Sequence, residues 1–92
     1  SSAGALDAVE RILNRGGEPD DVLRDVVRAL HERTGSWFAI AGLAAGEQPD
    51  AVQRHPVLWQ GAQVAELQAA ADADAELCAR VAVIVSPYCR TA

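Results

Sequence analysis

Apolar positions recur at helical spacing near the start of the chain, where Leu6, Val9, Ile12 and Leu13 fall on one side of a 3.6-residue repeat. Gly16-Gly17 interrupts that pattern with residues that enter left-handed conformations cheaply, so a first helix is predicted to stop there. Pro19 then stands at a first helical position, followed by Asp20 and Asp21, whose charges favour a helix N-terminus. Val22, Leu23, Val26, Val27 and Leu30 supply a second apolar stripe, with Arg28, His31 and Arg33 near its C-terminal end and Gly35 as the stop.

After Gly35 the period changes. Ser36 to Ala44 is an apolar run carrying Trp37, Phe38 and Ile40 and closed by Gly46, which predicts one strand buried on both faces. Its small residues Ala39, Ala41 and Gly42 predict close approach by another element. Glu47-Gln48-Pro49-Asp50 reads as a loop, and Val52 is the earliest start of a following strand. Pro56 to Trp59, Gln60-Gly61 and Ala62 to Leu67 have the form of a hairpin, with Ala62, Val64 and Leu67 inward if an irregularity is allowed near Glu66.

From Asp72 the helical period returns, with Asp72 or Asp74 as cap, Leu77, Val81, Ile84, Val85 and Tyr88 as the stripe, and Pro87 limiting its length. Cys78, Ala79, Ala82 and Val83 fill much of the opposite face, so this helix is predicted to be covered on two sides. The sheet covers one; the first helix, or the same helices of a second copy, covers the other. The elements together predict an α+β fold, a small antiparallel sheet packed against helices, as a single domain over residues 1–92.

Length agrees, since a chain of 92 residues buries roughly 60–65% of its unfolded surface around one core. The net charge of −5 comes from scattered carboxylates, and the basic residues are all Arg and equally scattered, so no face is predicted to follow a phosphate backbone. No apolar run approaches the roughly 20 residues that span a bilayer, and the N-terminus lacks a signal-peptide pattern. A cytoplasmic protein with neither nucleic acid nor membrane as partner is expected. The lack of any Met predicts that Ser1 lies inside a longer polypeptide or follows processing.

Candidate chemistry is sparse. Cys78 and Cys89 stand eleven positions apart. On one helix that is about 16 Å, beyond the roughly 4.4–6.8 Å a disulfide bridges, so they read as small buried hydrophobes. His31 and His55 have no partner at metal-ligand spacing and read as a helix-end and a pre-strand residue. Gly16-Gly17 could cradle an anion, but Glu18, Asp20 and Asp21 would repel it, leaving a helix-to-helix turn. No catalytic residue, metal or cofactor is expected. Trp37 and Trp59, with Phe38, hold most of the aromatic content; core packing is the first reading, a residual ligand pocket beside Trp37 and Trp59 the second.

Two helices, the strand Trp37-Phe38-Ala39-Ile40-Ala41, the hairpin from His55 through Gln60-Gly61 to Leu67, and an Asp-capped apolar helix resemble a GAF domain. Leu13-Asn14-Arg15-Gly16-Gly17 and Asp20-Asp21-Val22-Leu23-Arg24 resemble short GAF-like proteins of actinobacteria. The resemblance implies a truncated GAF/PAS-like, profilin-like sheet and a role in signalling or ligand sensing. It also departs from the family, because only Ala45 to His55 replace the long middle region that encloses a small molecule, and the chromophore-bearing cysteine of some members has no counterpart. The expected function is a non-catalytic regulatory or interaction module. It would dimerise through its first and last helices, with Leu6, Val9, Leu13, Val81, Ile84, Val85 and Tyr88 at the interface. The alternative is a sensor binding an apolar or aromatic metabolite in a reduced pocket at Trp37 and Trp59.

Overall fold

The computed structural model describes residues 1–90; Thr91 and Ala92, which the predicted domain includes, lie outside them. Helix α1 spans Ser2–Arg15, with the Ser1 hydroxyl accepting from the Gly4 N–H at 3.2 Å. Helix α2 spans Pro19–Thr34 and carries Asp20 and Asp21 in its first turn. Helix α1 ends before Gly16-Gly17, and α2 begins at Pro19 and ends before Gly35, as periodicity and capping predict.

The predicted single strand over 36–44 is instead a hairpin, β1 (Phe38–Ile40) and β2 (Leu43–Ala45). It folds about Ala41-Gly42, where φ is positive at both residues (52° and 84°). Strand β3 (Val52–Trp59) and strand β4 (Ala62–Ala70) turn the same way about Gln60-Gly61, with φ of 51° and 82°. Positive φ at both central positions matches the right-handed twist of the flanking strands, and Asn-Gly suits it best. Ala41 and Gln60 occupy that conformation at a steric cost, so Ala41→Asn and Gln60→Asn should each raise stability by about 0.5–1 kcal/mol. Urea unfolding of the two single variants measures this.

All pairings are antiparallel, in the order β2-β1-β4-β3. Phe38, opposite Ala45 and Ala69, and Ile40, opposite Leu43 and Leu67, face the helices. There they join Val57 with Val22, Leu23, Val26, Val27 and Leu30 of α2 in one core. Each such aliphatic, fully buried, contributes roughly 1.5–3 kcal/mol. Alternation puts Ala39, Ala44, Arg54, Glu66 and Gln68 on the other face, where Arg54 and Gln68 both reach the Glu66 carboxylate at 3.0 Å. The irregularity expected near Glu66 is a bulge at Val64: Val57 pairs with Ala65 but Leu58 with Gln63, so Val64 is the extra residue. Ala62, predicted inward, is exposed.

Strands β2 and β3 lie at opposite edges, so residues 46–51 must cross the whole sheet. Three inter-strand gaps are about 14 Å, which a segment this short covers nearly directly. Its first residue, Gly46, has φ 94°, and a Cβ there would lie 2.7 Å from Nδ1 of the His31 ring on α2. The crossover is a strap pinned to α2, with no length left for a lid.

The last helix divides into α3 (Ala75–Ile84) and α4 (Ser86–Cys89). Pro87 has no N–H to offer the Val83 carbonyl, and the Ser86 hydroxyl donates to that oxygen instead at 3.0 Å. Helix α1 packs on α2 and α3, α2 on β1 and β2, and α3 and α4 on β3 and β4. Buried Leu77, Cys78, Val81 and Ala82 spend the inner side of α3 on the core, while Ala79 and Val83 stay exposed.

Candidate functional site

The bulge at Val64 changes the register just where β3 passes α3, and Leu58 projects from that position with 53% of its surface exposed. Across from it on α3 stands Val83, 72% exposed. Together with His55, Pro56, Ala79, Ala82 and Ser86 they line an open groove of about 270 Å³. No Asp, Glu, Lys or Arg lines it. The His55 ring is fixed by donating from Nε2 to the Gln53 side-chain oxygen at 2.8 Å, because an amide oxygen only accepts. The Gln53 amide nitrogen in turn donates to the carbonyls of Ala70 and Ala73 at 3.0 and 2.9 Å, fastening the turn that leads into α3.

The β3 edge beside this groove is poorly suited to another strand. Even-numbered β4 residues bond to the β1 side, as Ala41 N–H to the Glu66 carbonyl and Ala70 N–H to the Trp37 carbonyl show, whereas the odd-numbered Ala71 bonds to Ala51. Val52, Arg54 and Pro56, which pair with Ala70, Gln68 and Glu66, therefore turn their backbone groups outward. Pro56 offers no donor there, and Arg54 places a charge at the middle of the edge. A partner reaching the groove meets side chains, not a free ladder.

The residues singled out in the sequence fall elsewhere. Trp37 and Trp59 flank opposite ends of β4, beside Ala70 and Ala62, roughly 25 Å apart along the strand, so they cannot line one pocket. Trp37 is 6% exposed. It stands just before β1, at the end of the sheet that the 46–51 strap crosses. Trp59 is half-buried, with the Arg90 guanidinium 5.0 Å from its ring centroid in a cation–π contact. Val9, Val81 and Val85, expected at a dimer interface, are wholly enclosed in the chain's own core. Leu6, Leu13, Ile84 and Tyr88 are half-buried against that core, and the Tyr88 hydroxyl donates to the Leu13 carbonyl at 2.9 Å. The first and last helices thus cover each other within one copy.

A second, polar cleft of about 280 Å³ lies where the start of α1, the end of α2 and the turn before α3 meet, lined by Ser2, Arg33, Thr34, Ser36, Asp72 and Asp74 among others. Its best-placed group is engaged internally: Asp74 accepts the Ser2 hydroxyl at 2.7 Å and caps α3 through the N–H groups of Glu76 and Leu77. These bonds, Ser2 first, hold the Asp74 carboxyl below its ordinary pKa. A depressed carboxylate adds stability above its unfolded pKa and loses it as pH falls through the folded value. Acid unfolding of the Asp74→Asn variant, which keeps a capping oxygen but not the charge, should accordingly show a shallower decline below the normal aspartate range. A curve parallel to wild type would remove Asp74 from that role.

Burial, followed by the Asp74 charge, pushes the Cys78 thiol up to about 11, and burial also raises Cys89. Both stay thiols at neutral pH, poor nucleophiles and poor ligands. Among the described residues no group of three or more His, Cys, Asp or Glu is placed to hold a metal ion, and no helix is long and apolar enough to cross a membrane. No family model matches the chain, and the search of curated proteins and of solved structures finds no match.

Proposed function

We propose that the chain is a non-catalytic, GAF-like regulatory module that associates with a second copy through the outer face of α3 and the groove beside β3. One observation carries this: Leu58 and Val83, the exposed large hydrophobics, flank the same groove. The GAF-like reading draws support from the element order, a helix pair ahead of the first strand, a Pro-bearing strand turning through Gly61, and an Asp-capped closing helix. The interface differs from a pairing of first and last helices, because only the outer side of the last helix has surface to give.

A second copy fits this face by charge. Glu76 and Arg80 stand one turn apart on α3 beside Ala79 and Val83, paired at 3.1 Å. Two copies crossing antiparallel about a two-fold axis set each Glu76 against the other's Arg80, so the contact is complementary twice over. The net charge of −5 works against meeting through the more acidic surfaces. The two clefts nearest in kind to a ligand site, the polar cleft and the groove beside β3, are both open.

Size-exclusion chromatography with light scattering tests the proposal. Wild type should run as a dimer at micromolar concentration, and Val83→Asp and Glu76→Arg should each run as folded monomers by circular dichroism. The exchanged pair Glu76→Arg with Arg80→Glu should recover the dimer. A wild type that stays monomeric throughout, or a double variant no better than the single one, overturns it.

A further inference from the structure

We draw no further inference here: the strongest candidate, the polar cleft of about 280 Å³ between the N-terminal ends of α1 and α3 and the C-terminal end of α2, rests on two helix N-termini and the exposed carboxylates of Asp72 and Asp74, with no second observation pointing to a ligand.

Discussion

Val81→Asp should leave the chain unfolded at room temperature, while Val83→Asp, two positions further along the same helix, should leave the fold intact. Val81 is completely enclosed, in one cluster with Cys78, Val85 and the sheet residues Val57 and Leu67. A carboxylate there has no polar partner, and either its ionised form or its protonated form with unmet hydrogen bonds costs several kcal/mol. Lost packing adds about 1–3 kcal/mol. A chain of this size has roughly 5–14 kcal/mol of stability in all, and the sum is enough to cancel the lower part of that range. Val83 is 72% exposed, and a charge at that position stays in water. Circular dichroism and thermal melts of the two variants decide the matter. A cooperative, native-like melt for Val81→Asp would show that the inner side of α3 is not closed, and collapse of Val83→Asp would place its outer side in the core.

Gly46→Ala is expected to destabilise by about 2–4 kcal/mol, a large effect for one added methyl on an exposed residue. Two causes act together. Alanine tolerates φ of 94° poorly, and its Cβ would lie 2.7 Å from the His31 ring. His31 cannot yield freely, because its Nδ1 donates to the Ser36 carbonyl at 2.8 Å in the turn that leads into β1. Moving the ring leaves that half-buried oxygen without its donor. The two causes separate in a double-mutant cycle with His31→Ala, where Gly46→Ala should cost only the backbone share of about 1–2 kcal/mol. Additive behaviour in urea unfolding would mean that the strap and the imidazole do not touch.

The helices were the legible part of this fold, for a physical reason. Their apolar period, Pro19, the acidic first turn of α2 and the Asp74 cap are local signals, and each lies where local energetics put it. The first hairpin was hidden because its turn uses Ala41, which carries no turn preference and is held at positive φ by the pairing of β1 with β2. The sequence around it looks like one strand. The candidate site was half legible. Val83 stands out as apolar on the side of α3 away from the stripe, and Leu58 alternates outward from Val57, but that the two line one groove depends on how α3 packs on β3. Equally, nothing local shows that Val81 and Val85 are consumed inside the chain, because that depends on how α1 crosses α3. Nothing in the sequence near either tryptophan shows that the full length of β4 separates them.

The two middle strands of the sheet, β1 and β4, come from opposite halves of the chain, with β1 joined to Leu67, Gln68 and Ala69 across the centre. Neither hairpin therefore builds a stable sheet alone, and closure waits on contacts between residues far apart in sequence. On the ribosome, the N-terminal helices and Phe38 would have nothing to close against until β4 and α3 have left the exit tunnel. Maturation is thus a late, all-at-once event, and truncation before α3 should yield a species for chaperones or proteases rather than a smaller working domain.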